Sequence, residues 1–150
     1  MTKTTKNPLP YQDAHPDAFI FDIDGTLAHR TDRGPYDWGK VEHDTVDEGM
    51  RLILKSLWGG HAHIIIVSGR DASCLPQTQR WLTTHGIPYE LLLMRPEGDK
   101  RKDCFVKEEL HRAHIEGRYN VLGVFDDRGQ TVNMWRSIGH PCYQVAPGDF

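Results

Sequence analysis

Four acidic side chains at the ends of apolar runs are the residues of this sequence that could do chemistry. Asp22 and Asp24 lie in the pentapeptide Asp-Ile-Asp-Gly-Thr, and Asp126 and Asp127 follow a later apolar run. One Asp at such a position is usually a cap or turn residue, but two paired sets are harder to explain that way. Like charges about 4 Å apart repel by roughly 4 kcal/mol at a surface-like dielectric. Four carboxylates at one edge therefore predict a hard cation, and Mg²⁺ is the ion that such oxygen ligands favour.

The elements that would position these residues alternate along the chain. Apolar runs predict strands at 18–21, 63–67, 90–94, 119–125 and 142–145, and helical spacing predicts helices near 46–57, 75–85, 103–116 and 130–138. The alternation predicts an α/β fold, a three-layer Rossmann-like domain with a five-stranded parallel sheet. Ligands in such sheets lie beyond the carboxyl ends of the strands. Asp22, Ser68 and Asp126 each follow a predicted strand, so we expect three distant segments to converge there.

Composition and charge limit the class of protein. The chain has 150 residues, 38% hydrophobic and 26% charged, as expected for one globular domain. A net charge of −3 argues against a surface coated in positive charge for non-specific nucleic-acid binding, although a local basic groove is compatible with it. Three widely spaced cysteines form no disulfide framework or zinc spacing and favour a reducing cytoplasm.

The domain organisation is predicted to be simple. Residues 1–17, rich in Thr, Lys and Pro, predict a flexible tail, and residues 18–150 predict one domain. The start lacks an apolar signal core, and the longest apolar run, 64–67, is far too short to cross a bilayer, so we expect no membrane partner.

The ordered motifs resemble those of the haloacid-dehalogenase-like phosphohydrolases. That family's pattern is matched by the Asp-x-Asp-Gly-Thr pentapeptide, Ser68 after the second strand, a later Lys, and the Asp126-Asp127 pair. The chain looks most like the phosphatase domain of bacteriophage polynucleotide 5′-kinase/3′-phosphatases. That closer likeness is carried by segments 33–37, 67–70, 101–103, 106–109, 126–128, 134–136 and 144–150.

The resemblance implies roles for the catalytic residues. Asp22 would attack phosphorus and form an aspartyl-phosphate, and Asp24 would protonate the leaving ribose oxygen and then activate water. A lysine would offset the charge of the transferring group. Lys107 is favoured because a helix beginning near Asp103, as N-cap, would hold it in the first turn. Lys102, in a loop, is the alternative.

The same resemblance implies binding roles for further residues. The substrate phosphate would be bound by Thr26, Arg33, Ser68, Gly69 and Arg70, with Asp103 orienting Lys107 from the same helix face. Mg²⁺ would be held by Asp22, Asp126, Asp127 and the backbone carbonyl of Asp24.

The expected substrate is a DNA or RNA 3′ end. The intervals between the motifs are filled mostly by predicted helices and leave no room for a sizeable cap domain, so the end of a polymer can enter. Trp38 could stack on a base, and the run 100–102 could touch the polynucleotide backbone. The alternatives are a small-molecule phosphatase for nucleotides or sugar phosphates and a non-catalytic module that binds nucleic-acid ends. The resemblance also implies a possible homodimer, and the host cytoplasm if the chain is phage-encoded.

Overall fold

The computed structural model describes residues 9–150, in which strands and helices alternate as predicted. The main strands are β1 (Asp17–Phe21), β4 (His63–Asp71), β5 (Leu91–Arg95), β6 (Asn120–Asp126) and β7 (Cys142–Gln144), and a short pair is formed by β2 (Ala28–His29) and β3 (Thr45–Val46). The helices are α1 (Glu48–Gly59), α2 (Leu75–Thr84), α3 (Asp103–His114) and α4 (Gly129–Ser137). The predicted α/β class and its parallel sheet are confirmed.

The strand order places the carboxyl ends of three strands side by side. The five-stranded sheet has the order β5-β4-β1-β6-β7, and every pair in it is parallel. Strand β1 lies in the centre, with β4 on one side and β6 on the other, so the chain crosses over in both directions from it. The end of β1 is therefore the switch point at which ligands bind in such sheets.

Alternate residues of the central strands pack against opposite layers. Phe21, Ile64 and Ile66 join a core with α1 and α2, which includes Leu54 and Trp81. Their neighbours in sequence, among them Ile20 and Ile65, join a second core with α3 and α4. Because side chains alternate across a strand, a continuous apolar run is the pattern that a sheet covered on both faces requires.

Several boundaries differ from those that the sequence predicts. The N-cap of helix α3 is Lys102 and not Asp103, the N-cap that the sequence predicted. Asp103 is therefore already in the first turn of the helix. The hairpin of β2 and β3 and a 3₁₀ helix at Trp38–His43 were not predicted. They escaped prediction because segments of two and six residues carry too little periodicity to distinguish them from a loop.

The predicted flexible tail needs a correction over its described part. The Gln12 amide donates to Asn120 Oδ1 at 2.8 Å, and Asn120 Nδ2 donates to the carbonyls of Gln12 and His15 at 2.8 and 3.0 Å. Residues 12–16 are thus tied to the start of β6, and β1 begins at Asp17. Residues 1–8 lie outside the described residues. Over residues 9–150, no helix has the length and apolarity to cross a membrane.

Candidate active site

Three carboxylates and one lysine lie together where β1 and β6 end. Carboxylate oxygens of Asp22, Asp126 and Asp127 all lie within 4.8 Å of one another. Lys107 Nζ, from α3, donates to Asp22 Oδ1 at 2.8 Å and to Asp126 Oδ2 at 2.9 Å. All four side chains are buried. We call this group, Asp22, Asp126, Asp127 and Lys107, the acidic cluster.

The charges of the acidic cluster do not balance. Burial raises the pKa of Asp22 well above its usual range, and Asp126 and Asp127 raise it further, although Lys107 opposes them. Burial and the neighbouring Asp126 also raise the pKa of Asp127. Burial disfavours the charge on Lys107, but Asp126 and Asp22 outweigh it, so the pKa of Lys107 is raised and the ammonium stays charged. One ammonium against three carboxylates leaves a site that a hard cation would complete.

The backbone around the pentapeptide sets this geometry. The Asp22 amide donates to the Phe125 carbonyl at 3.0 Å, which joins the ends of β1 and β6. Gly25 has a φ of +85°, and a Cβ there would lie 2.1 Å from Asp127 Oδ2. Asp126 is fixed in turn by Trp135, whose Nε1 donates to Asp126 Oδ2 at 3.3 Å. The positive φ at position 25 and the close approach of Asp127 to its backbone both require glycine there.

A second cluster surrounds Asp24. Arg33 donates to Asp24 Oδ1 at 2.9 Å, and Arg70 donates to the same oxygen at 2.8 Å. Both arginines also bind the buried Asp44, at 2.8 and 2.9 Å. We call Asp24, Arg33, Asp44 and Arg70 the arginine–aspartate cluster. Its two guanidiniums balance its two carboxylates, and the side chains of Arg33, Arg70 and Asp44 have no exposed surface.

This arrangement differs from the expected phosphate-binding role of Arg33 and Arg70. Their guanidinium groups are committed to Asp24 and Asp44, so the structure places them behind Asp24 rather than free in the cavity. The sequence reasoning missed Asp44. It precedes β3 in a polar stretch with no motif, and its backbone carbonyl is held by Trp81 Nε1 at 2.9 Å. The one available signal was the need of two buried arginines for a second carboxylate.

Asp103 lies between two arginines that the sequence reasoning did not assign. Arg128 NH1 donates to Asp103 Oδ2 at 2.9 Å, and Arg95 donates to Asp103 Oδ1. Burial raises the pKa of Asp103, but Lys107 and Arg128 outweigh it and lower the pKa overall. The close approach depends on Gly69, where a Cβ would lie 2.4 Å from Asp103 Oδ1. Glycine at position 69 is therefore explained by packing against Asp103. Asp103 in turn lies near enough to Lys107 for the lysine to lower its pKa.

The two predicted hydroxyl ligands are both buried, and Thr26 contacts the acidic cluster. Thr26 Oγ1 donates to Asp22 Oδ2 at 3.3 Å, and Ser68 Oγ accepts from the Arg70 amide at 3.1 Å. The side chain of Asp24 is not part of the acidic cluster. Its carboxylate is one-third exposed and turned toward the arginines. Its backbone carbonyl as a metal ligand stays a prediction.

An open cavity of about 1500 Å³ connects these groups to solvent. Its buried lining residues, which we call the floor, include Asp22, Asp127 and Lys107, and it is also lined by the part-exposed Asp24 and the exposed Lys102. The position of Lys107 between Asp22 and Asp126 favours it over Lys102 as the lysine beside Asp22, the predicted nucleophile. No large cap covers the cavity in the described part of the chain, as predicted.

Comparisons with known proteins agree with this geometry. The model of the polynucleotide kinase PNKP phosphatase domain matches residues 16–150. A protein of Autographa californica nuclear polyhedrosis virus, which carries the provisional name bifunctional polynucleotide kinase/RNA ligase, is 37% identical over 136 residues. This covers 89% of the present chain and 20% of the viral protein.

Solved structures show the same fold. Chains in two structures of a Pnkp1/Rnl/Hen1 complex, one described as an RNA repair complex, superpose with a TM-score of 0.93 at 37% and 36% identity. They match 98% and 100% of this chain, which spans about half of theirs, 48% and 53%. A D,D-heptose 1,7-bisphosphate phosphatase from B. bronchiseptica has a TM-score of 0.59 over 84% of this chain and 78% of its own, at 13% identity, and shares the fold alone.

Proposed function

We propose that this chain, which belongs to the family of polynucleotide kinase phosphatase domains, is a Mg²⁺-dependent phosphatase that removes 3′-phosphates from polynucleotide ends. Family membership and the haloacid-dehalogenase-like fold make the chain a phosphatase. The 3′ position, the metal and the covalent intermediate are the proposal. The observation that carries it is the buried contact of Lys107 with Asp22 inside the acidic cluster.

Asp22 is the proposed nucleophile. Lys107 and the Thr26 hydroxyl each hold one of its oxygens, which fixes the carboxylate at the cavity floor. An Asp22 oxygen attacks phosphorus, and the bond from phosphorus to the ribose 3′ oxygen breaks. The product is an aspartyl-phosphate, so one difficult displacement becomes two easier ones. Lys107 stabilises the negative charge of the transferring group.

Asp24 is the proposed acid and base. Its Oδ1 accepts hydrogen bonds from both arginines, whereas its Oδ2 accepts one, from Arg70 Nε at 3.1 Å. The less engaged Oδ2 is therefore the oxygen that carries the proton. Asp24 gives this proton to the leaving ribose oxygen, then takes one from the water that attacks the aspartyl-phosphate. Inorganic phosphate leaves, and Asp22 is restored.

The donor set of the acidic cluster fits a divalent hard cation. Asp22, Asp126 and Asp127 would hold it, because their oxygens are close and their charges exceed that of Lys107. When bound, Mg²⁺ neutralises charge on these carboxylates and on the substrate phosphate. The chain's own part is to keep the three carboxylates together, through Gly25 and the turn that follows β1.

The open cavity supports a polynucleotide substrate over a small molecule. Pockets that enclose small ligands have volumes of roughly 300–1,000 Å³, and this one is larger, at about 1500 Å³. Arg33 and Arg70 act in this proposal by orienting Asp24. The predicted homodimer and the cytoplasmic location stay predictions.

Phosphate release from synthetic ends tests the proposed function. We expect 3′-phosphorylated DNA and RNA oligonucleotides to release phosphate with Mg²⁺ and not with EDTA. Trapping of a phosphate label on the wild-type chain, and not on Asp22→Asn, checks the covalent step. No release from oligonucleotides, together with rapid hydrolysis of nucleotides or sugar phosphates, would show a small-molecule phosphatase instead. No hydrolysis of any phosphate ester would favour a binding module.

A further inference from the structure

We propose that the mouth of the cavity holds a polynucleotide-strand subsite, in which Tyr36 stacks on the base next to the 3′-terminal nucleotide and Arg30, Lys100 and Lys102 bind the strand's phosphates. This inference rests on the proposed function and deepens it. We call these four residues the strand subsite. They would give the protein its preference for a polymer over a free nucleotide. They lie on two segments that border the cavity, 28–38 and 95–103.

The cations of the strand subsite differ from the other basic residues of the cavity wall. Arg33, Arg95, Arg101, Lys107 and Arg128 are all engaged in ion pairs. Arg30, Lys100 and Lys102 also line the cavity, yet none has a carboxylate within 4.0 Å among residues 9–150. These three side chains are exposed, so each can reach a ligand without breaking an internal contact.

Most acidic side chains of the cavity wall form ion pairs or hydrogen bonds within the protein. Asp99 pairs with Arg101, and Asp103 pairs with Arg128. Asp71 accepts from two backbone amides, whose hydrogen bonds lower its pKa. Among the described residues outside the acidic cluster, Asp71 and Glu97 line the cavity without an ion pair. Three cations without an ion pair, against two such carboxylates, still give this part of the cavity a positive balance, in a chain whose net charge is −3.

The aromatic part of the strand subsite is the ring of Tyr36, which we call the platform. Tyr36 is 79% exposed and lines the cavity. Its ring meets that of Trp38 edge-on, with 6.1 Å between centroids, and the Arg33 guanidinium lies 5.8 Å from the Trp38 ring centre. The platform is thus connected to the arginine–aspartate cluster that holds Asp24. A large exposed ring supported from behind offers a face to any base, without reading its sequence.

The chemistry of the subsite points to a single-stranded polynucleotide. Stacking on an aromatic ring requires an unpaired base, and the cations match the phosphates that follow it in the strand. The side-chain phosphate contacts carry no sequence information, so we expect tolerance of sequence. A free nucleoside 3′-monophosphate fills the cavity floor and leaves the strand subsite unused.

The experiment compares the activity of each variant on two substrates. We measure kcat/KM with Mg²⁺ for a 3′-phosphorylated oligonucleotide and for the matching nucleoside 3′-monophosphate, and take their ratio. Tyr36→Ala is expected to lower the ratio about tenfold through KM for the oligonucleotide, the effect of losing one stacked base. Tyr36→Phe keeps the ring and should keep the ratio. Arg112→Ala, an exposed arginine paired with Glu108 on α3, is the matched control for lost charge.

Salt dependence tests the cations independently. Neutralising a phosphate of a single strand contributes about 0.7 to the slope of log affinity against log salt concentration. Lys100→Ala combined with Lys102→Ala should therefore reduce the slope of log kcat/KM for the oligonucleotide by about 1.4. The slope for the monophosphate should change much less, and Arg112→Ala should change neither.

The outcomes separate this inference from the proposed function. If the wild-type chain hydrolyses 3′-phosphorylated oligonucleotides but the Tyr36 and lysine variants keep the ratio and slope of the wild type, the strand subsite is wrong and the function stands. If duplexed 3′ ends react as fast as single strands, stacking on Tyr36 is excluded. If the wild type releases no phosphate from oligonucleotides, the proposed function itself fails.

Discussion

The acidic cluster and the arginine–aspartate cluster lie next to each other and differ in whether their buried charges balance. The acidic cluster sets three carboxylates against one lysine, whereas the arginine–aspartate cluster sets two carboxylates against two guanidiniums. Unbalanced buried charge costs free energy, and paired buried charge costs far less. This difference supports the proposal that the first group takes up a cation and a phosphate and that the second holds the side chain of Asp24 in place.

The comparison supports the different roles proposed for two aspartates only two positions apart. Asp22 has its oxygens bound by Lys107 and Thr26 at the floor of the cavity. Asp24 is one-third exposed and is held from behind by arginines. A nucleophile needs a fixed position beside the phosphate, and a proton donor needs access to the leaving group.

The largest expected effect comes from the nucleophile in the acidic cluster. Asp22→Asn preserves the shape of the side chain but removes the attacking oxygen's charge, so we expect phosphate release to fall on the order of a thousandfold or more. The measurement is single-turnover hydrolysis of a 3′-phosphorylated oligonucleotide, with folding checked by circular dichroism. Activity near that of the wild type would show that the assigned chemistry is wrong.

A smaller effect is expected from the buried partner in the arginine–aspartate cluster. Asp44 has no exposed side-chain surface and does not line the cavity. Asp44→Asn should destabilise the fold by about 3 kcal/mol and lower kcat about a hundredfold through misplacement of Asp24, with little change in KM. Asp32→Asn, in the same loop but exposed and paired with His43, is the control. A change in KM alone would contradict the positioning role.

Metal binding should stabilise the fold through the acidic cluster and not through the arginine–aspartate cluster. At a Mg²⁺ concentration of about 100 times Kd, linkage gives about 2.7 kcal/mol, which raises Tm by roughly 5–10 °C for a domain of this size. Asp127→Asn should lose most of that rise. Glu97→Gln, which changes another acid of the cavity wall, should keep it. Thermal unfolding with EDTA and with Mg²⁺ measures this, and an equal rise in Asp127→Asn would remove that residue from the metal site.

The smallest effect concerns the stability of the metal-free chain against pH. Burial and Asp126 raise the pKa of Asp127 above its ordinary value of 3.8, so the folded state holds this proton more tightly than the unfolded state. The wild type should therefore lose stability as pH rises from about 4 through that raised pKa. Asp127→Asn should escape the part of the loss that comes from Asp127 and gain on the order of 1 kcal/mol over the wild type by pH 7.5. Urea unfolding in EDTA checks the sign.

The acidic cluster was predicted from sequence more completely than its neighbour. Asp22, Asp126 and Asp127 each follow an apolar run, so the alternation of strands and helices was enough to bring them to one edge. Lys107 followed from the start of α3, since the beginning of a helix depends on nearest neighbours in sequence, although the structure places Lys107 one turn beyond Asp103 and not in the first turn. Asp44 and Arg95 stand in no such pattern.

By itself the sequence determined the layers of the fold, the edge at which the site lies and the residues of the acidic cluster. Only the tertiary structure decided which side chains Arg33 and Arg70 bind. Their partners Asp24 and Asp44 compete with any phosphate for the guanidiniums, and Arg70 lies 46 positions from Asp24 and 26 from Asp44. Periodicity and capping are local properties that nearest neighbours fix. The pairing of buried charges depends on which distant segments meet, and on the free energy of leaving a charge unpaired there.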